Sequence, residues 1–199
     1  MELLRFSNLF SLIYLTDTVR IPPEKFDKAL ETVTQEELSA KYEGIVSKEL
    51  GFVIAVTDMK VSPVGRIIPG DGATYHTVTF TVLTYNPEVQ EIVEGQIIEV
   101  EDFGAFVRVG PIDALLHISQ VIDDYVSYDE RRGSLLAKET GRILQEGDNI
   151  RGRITVVSFG RGGSGKIGMT MRQPFLGKLD WISDDAEKNG KQSKRKKES

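Results

Sequence analysis

The chain has 199 residues, 40% hydrophobic and 28% charged, with no cysteine and a net charge of −5. That is enough for one large domain or two small ones with a real core. It excludes a disulfide framework or a thiolate metal site, and weakly favours a reducing cytosol. Only His76 and His117 offer imidazole. No ligand-spaced carboxylate cluster joins them, so neither a metal nor another cofactor is expected. The charge is segregated. The last twelve residues, KNGKQSKRKKES, hold six basic residues and one acidic, and residues 149–173 carry five basic residues and no acidic one. Local segregation of this kind matters more to a polyanion than the total.

The apolar run 9–15 loosely imitates a signal sequence. No small-residue cleavage site follows it, and Asp17 and Arg20 come at once, so an intracellular, cytoplasmic chain that does not span a membrane is expected. Residues 10–20 read as a strand. Pro22-Pro23 suits a helix start, and Phe26, Ala29, Leu30 and Val33 recur at i, i+3, i+4 and i+7. Thr34 with Glu37 fits a capping box, which predicts a second helix to about Tyr42. Residues 43–48 and 52–58 look like strands joined through Gly51. The loop GRIIPGDGAT follows. In YHTVTFTVLTY, His76, Val78, Phe80 and Val82 share one face of a half-buried strand.

Asn86-Pro87 punctuates the chain, and the helical signal then largely disappears. Residues 96–101, 104–109 and 115–119 are strand-like. A polar stretch, 123–141, interrupts, and 150–159 and 166–171 resume the strand pattern. Five short strands with an interruption after the third suit an OB-type barrel. The expected fold is therefore α+β: an N-terminal α/β domain with an antiparallel sheet and helices over residues 1–88, a five-stranded barrel over 89–183, and a disordered basic tail over 184–199.

Gly160 to Lys166 satisfies GxxxxGK, but Ile167 stands where a phosphate loop needs Ser or Thr, and KIGMTM alternates like a strand. A flexible hairpin loop is expected there. The stretch EDFGAFVRVG is more informative. Phe103 and Phe106 are three apart and would face opposite sides of a straight strand, but Gly104 can turn the backbone and bring both rings to one side. Either they are core or they are surface. Ile98, Val100, Val107, Val109, Leu115 and Ile118 already supply inward positions. Arg108 shares a face with Phe106. Alternation puts Ile150, Ile154 and Val156 together and throws Arg151 and Arg153 outward. Exposed rings beside exposed arginines are what single-stranded nucleic acid requires, rings for bases and cations for phosphates. His117 reads first as structural, as a lone histidine more often is, but the end of a strand also suits stacking or hydrogen bonding. Asp123-Asp124 and Asp129-Glu130 read as solvated loops, and no nucleophile–base spacing suggests a reaction centre.

VEGQIIEVEDFGAFVRVGPIDALLHISQ, with GDNIRGRITVV and KIGMTM, resembles the S1 RNA-binding domain. VRIPPEKF, IIPGDGATYHTVTF, DDYVSYDE and TMRQPFLGKLDWI resemble the stalk family of DNA-directed RNA polymerase, the E-prime subunit in archaea and the seventh subunit in eukaryotic polymerase II. The resemblance covers about residues 9–181. It implies a non-catalytic subunit that forms a heterodimer with the polymerase's F subunit, docks on the polymerase core through the tip of its first domain, and contacts nascent single-stranded RNA. It assigns docking to Pro69, Gly70, Asp71 and Gly72. It assigns the RNA face to Phe103, Phe106 and His117, and the residues themselves add Arg108, Arg151, Arg153 and Lys166 as flanking cations. The apolar residues Phe175, Leu179 and Trp181 near the end of the folded part are expected to meet the heterodimer partner. Ser158 and Lys166 stand where many S1 domains carry Asp and Arg, and Ala114 stands where Gly is usual. The family normally starts near Leu9, which marks residues 1–8 as an extension or a misassigned start. The alternative function is an S1 adaptor of translation initiation or RNA decay.

Overall fold

A computed structural model describes residues 3–5, 9–159 and 165–195, with side chains described for 9–159 and 165–187. The described residues form two compact units: those up to Pro87, joined by Phe159 and Gly165, and the remainder from Glu88 onward.

The first unit is one antiparallel sheet under one helix. Strands β1 (Leu3–Arg5), β2 (Phe10–Ile21), β3 (Val46–Ser47), β4 (Gly51–Ile67) and β5 (Thr74–Tyr85) take the order β1-β2-β5-β4-β3. β2 and β5 pair without interruption from Phe10↔Tyr85 to Ile21↔Thr74. β4 is longer than β5, 17 residues against 12, and its register slips at three places, so it bulges and bends. Helix α1 (Leu30–Tyr42) lays Val33 and Leu38 on Ile13, Val19, Val53, Val78, Phe80 and Val82. His76, Val78, Phe80 and Val82 are buried on one face of β5, as alternation predicts.

The helix differs from the sequence expectation. Pro22-Pro23 starts only a 3-10 turn, Pro23–Lys25, and Phe26 is exposed. Thr34 does not cap a second helix. It is buried mid-helix, and its hydroxyl donates back to the Leu30 carbonyl at 2.7 Å, while Glu37 pairs with Lys25 at 2.9 Å. Packing of Val33, Thr34 and Leu38 fixes the helix position, and a local capping signal cannot compete with that.

Tyr42 ends α1, lying 5.0 Å from the Phe80 ring, and donates to Asp17 Oδ2 at 2.8 Å. Burial, then the Asp17 carboxylate, pushes the Tyr42 phenol up to about 12. An unfolded tyrosine ionises near 10. The folded state therefore holds this proton longer, and the contribution to stability is complete below pH 10 and fades as pH climbs through 12. Denaturant midpoints should fall over that window in the native chain, and Tyr42→Phe should remove part of the fall. Parallel pH curves for the two proteins would refute the assignment.

The second unit is a closed barrel. Strands β6 (Ile92–Glu101), β7 (Gly104–Val109), β8 (Ile112–His117), β12 (Asn149–Phe159) and β13 (Gly165–Thr170) run β13-β8-β7-β6-β12, and β13 pairs with β12 to close the ring. The two-residue β14 (Gly177–Lys178) adds to β12. This is the α+β architecture with an OB-like barrel. The interior holds Ile97, Val100, Ala105, Val107, Ala114, Leu116, Ile150, Ile154, Ile167 and Met169.

Four inward assignments change. Ile118 opens a 3-10 turn, Ile118–Gln120, and is only half-buried. A register shift between Ile97 and Glu99 turns Ile97 inward in place of Ile98. Leu115 lies on the outer face opposite Phe106, half-buried. Val156 lies beyond the part of β12 paired with β6 and is exposed. The polar stretch after β8 is also structured. β9 (Val126–Asp129), β10 (Ser134–Ala137) and β11 (Ile143–Gln145) form a separate sheet that buries Leu135, Ala137 and Leu144. Their runs are too short to show a period among the surrounding charges. The tail expected to be disordered from Asp184 lies, as far as Arg195, in helix α2 (Leu179–Arg195). Arg142 anchors it, stacking on Trp181 at 5.4 Å and meeting Asp185 at 2.5 Å. Composition alone does not display such tertiary anchors. Residues 160–164 of the GxxxxGK segment lie outside the described residues, and its Gly165 and Lys166 open strand β13.

Candidate nucleic-acid interface and docking surfaces

The β6–β7 turn settles the geometry of the two phenylalanines. Gly104 takes φ +155, and a Cβ there would lie 2.2 Å from the Leu116 carbonyl oxygen. Only glycine lets β7 approach β8 this closely, at the Gly104↔His117 pair. The turn is tied further by the Ile118 N–H, which donates to the Phe103 carbonyl at 2.8 Å. Phe103 and Phe106 consequently meet edge to face, with ring centroids 6.1 Å apart at 84°. Phe103 is 43% exposed and Phe106 is half-buried, so neither belongs to the interior.

His117 is exposed at the end of β8. Its Nδ1 accepts from the Ser119 N–H at 3.2 Å and lies 2.8 Å from Ser119 Oγ. In the neutral ring this leaves Nε2 as the donor. Phe106 and Leu115 face each other across β7 and β8, and Gly168 of β13 lies beside Leu115. A strip of apolar surface therefore crosses the outer wall of the barrel from Phe106 over Leu115 to Gly168.

The cations separate into two groups. Arg108 is on the same face of β7 as Phe106 and pairs with Asp113 at 3.0 Å. Lys166, exposed, stands one residue before the Ile167↔Ala114 pair, beside Asp113. These two mark one end of the strip. Arg172 marks the other. It donates to the Ser119 carbonyl at 3.2 Å and pairs with Asp123. The sequence counts Arg172 among the basic residues but offers no signal that it sits beside Ser119. That follows only from β13 ending beside the turn after β8, where Met171 bonds Gln120.

Arg151 and Arg153 do point outward, as alternation predicts, but the structure does not bring them to the rings. They lie opposite Glu94 and Ile92 on β6, whereas Phe106 lies opposite Glu99. Arg151 is held by Glu94 at 2.7 Å, and Arg153 by Gln173 and the Gln90 carbonyl at 2.7 and 2.8 Å. Glu99 and Asp102 are exposed near the aromatic pair. Such a face offers a polyanion little net positive charge and offers it mainly ring surface. Among the described residues no group of His, Asp and Glu forms a metal site.

In the first unit, residues 68–73 form the loop after β4. Asp71 is its centre. Its Oδ1 accepts from Arg20 Nη2 at 2.7 Å and from the Ala73 N–H at 3.2 Å, and its Oδ2 accepts from Arg20 Nε at 2.9 Å and Tyr75 Oη at 2.6 Å. The Arg20 guanidinium, then the Tyr75 hydroxyl, holds this carboxyl well below the usual carboxylate range. Gly70 has φ +91, and Gly72 lies against Pro23. Next to the loop, Val64, Ile67 and Ile68 are 77%, 72% and 48% exposed. In the second unit Leu179 and Trp181 are half-buried, whereas Phe175 is 79% exposed at φ +66.

Residues 16–72 match the family described as the SHS2 domain found in the N terminus of Rpb7p/Rpc25p/MJ0397, and residues 86–164 match the S1 RNA binding domain. The DNA-directed RNA polymerase subunit Rpo7 of Saccharolobus shibatae is 44% identical over 176 residues, covering 88% of this chain and 98% of that protein. The chain belongs to the Rpo7 family. Rpo7 of Sulfolobus acidocaldarius is 38% identical over 183 residues, 92% of this chain and all of that protein. The DNA-directed RNA polymerase II subunit rpb7 of Schizosaccharomyces pombe is 24% identical over 147 residues, 73% of this chain and 85% of that protein. Rpo7 membership agrees with the resemblance read from the motifs, and it makes this a non-catalytic subunit of a nucleotidyltransferase complex.

Proposed function

We propose that this chain is the stalk subunit that receives emerging single-stranded RNA on the outer wall of its S1 barrel, pairs with the F subunit of the polymerase, and docks on the polymerase core through residues 69–72. The observation that carries the RNA reading is the edge-to-face pair Phe103–Phe106, on the outer face of the barrel beside His117. Rings placed there offer bases a platform that requires no particular sequence. Docking is supported by the ridge of Val64, Ile67 and Ile68 beside a loop whose backbone is closely tied. Exposed large apolar groups of this kind mark interaction surfaces. Pairing with the F subunit is supported by Phe175, exposed and held at a positive φ that a non-glycine residue adopts at a cost of roughly 1–3 kcal/mol. No described helix is long and apolar enough to cross a membrane. A polymerase subunit of this kind works in the cytoplasm.

Coexpression tests the partnership. With the F subunit the chain should purify as a one-to-one complex and draw polymerase core subunits from native lysate. Phe175→Ser should weaken the pairing at least tenfold in a titration calorimeter without lowering the melting temperature of the chain. A chain that ignores both the F subunit and the core would end this reading.

A further inference from the structure

We infer that Arg20, Asp71 and Tyr75 form a bracket that sets the docking loop into its binding shape before the core arrives, so that these three act as positioning residues while the rest of the loop and the apolar ridge beside it make the contact. This rests on the docking reading above. Both oxygens of Asp71 already accept two hydrogen bonds each, at 2.6 to 3.2 Å, all from its own unit. The carboxylate is occupied toward the sheet and has little left for a partner. Arg20 and Tyr75 are directly opposed in the β2–β5 register, so the bracket is anchored on a continuously paired ladder. The loop is fixed at further points. The Asp71 N–H donates to the Ile68 carbonyl at 3.0 Å, and Ala73 is fully buried.

Global stability does not explain the arrangement. The Arg20 and Asp71 side chains are 49% and 29% exposed, and ion pairs at such positions contribute little to folding. Their effect is on the loop itself. A six-residue loop carrying exposed Ile68, next to exposed Ile67, would lose conformational freedom on docking, and ordering it in advance removes that cost from the binding step. Arginine suits the role because its planar fork meets the carboxylate through two parallel bonds, which fixes orientation as well as distance.

The test uses the full chain paired with the F subunit, together with stalk-free polymerase core. Arg20→Gln, Tyr75→Phe and Asp71→Asn are each measured for core affinity and for amide hydrogen exchange over residues 68–73. Each variant should speed exchange in the loop and weaken core binding, by about tenfold for Arg20→Gln and Asp71→Asn and less for Tyr75→Phe, with the melting temperature unchanged. The double variant Arg20→Gln/Asp71→Asn should be no weaker than the worse single, because the two residues act as one device. If Asp71→Asn weakens binding while Arg20→Gln leaves both binding and exchange alone, Asp71 is a contact and the bracket is refuted. A separate variant, Ile67→Asp/Ile68→Asp, tests the underlying reading. It should abolish core binding, and if it does not, docking at this tip falls and the bracket's role falls with it.

Discussion

Phe106→Ala should weaken binding of a single-stranded oligoribonucleotide by about 5- to 150-fold, the effect of losing one stacked base at roughly 1–3 kcal/mol. Phe103→Ala should act in the same range, since its ring is the more exposed of the pair and meets Phe106 edge to face. Neither change should unfold the barrel, because the interior is built from Ile97, Val107, Leu116 and their neighbours. The cations should behave differently. Lys166→Ala and Arg172→Gln should each reduce the dependence of affinity on salt by about 0.7 log units per tenfold salt, the signature of one lost phosphate contact on a single strand. Arg151→Ala and Arg153→Ala should change that slope less, because those residues lie opposite Glu94 and Ile92 on β6, away from Phe106, which lies opposite Glu99. Anisotropy titrations at several salt concentrations separate the two classes. Equal slopes for all four cation variants, with no loss in Phe106→Ala, would contradict the assignment of the face.

Gly104→Val should be the most damaging single change in the second unit. The added Cβ would stand 2.2 Å from the Leu116 oxygen and 2.9 Å from the His117 Cα, at a φ that L-residues rarely adopt. Overpacking costs roughly 1–3 kcal/mol, and a strained backbone costs a similar amount. Together they should lower the barrel's unfolding temperature by about 10 °C or more. The single tryptophan, Trp181, lies in this unit and reports the transition. Gly168→Ala is the control. A Cβ there meets nothing closer than Thr155 Oγ1 at 3.4 Å, so the melting point should hardly move. Because the clash falls on His117 and the turn carrying Phe103, RNA affinity should fall along with stability in Gly104→Val. A variant as stable as the native chain would mean that β7 and β8 do not approach as described.

The barrel strands were legible because each is a short alternating run bounded by a turn residue. Gly104–Val109 shows this most clearly, with Ala105, Val107 and Val109 inward and Phe106 and Arg108 outward. What escaped the sequence were features decided at a distance. The bulge after Ile97 exchanges the roles of Ile97 and Ile98, and nothing local announces it. Thr34 and Glu37 spell a cap, yet the helix is placed by Val33 and Leu38 against the sheet. The three short strands after β8 are too brief to show a period. At the candidate site, glycine between two phenylalanines was enough to pose the right question about the rings. Arg172 was out of reach because its place beside Ser119 depends on where β13 ends, and the outward pointing of Arg151 and Arg153 revealed nothing of the partners that hold them. At the tip, IIPGDGATYH marked the loop, but the pairing of Arg20 with Asp71 joins residues 51 apart.

Photo-crosslinking tests the central claim most directly. A benzoyl-phenylalanine placed at position 106, in the chain paired with the F subunit and assembled on a transcribing polymerase, should crosslink to the transcript once the RNA is long enough to emerge. The same group at position 14, on the first unit, should not. Absence of any crosslink from position 106, in a complex that still holds the stalk and extends RNA, would contradict the account.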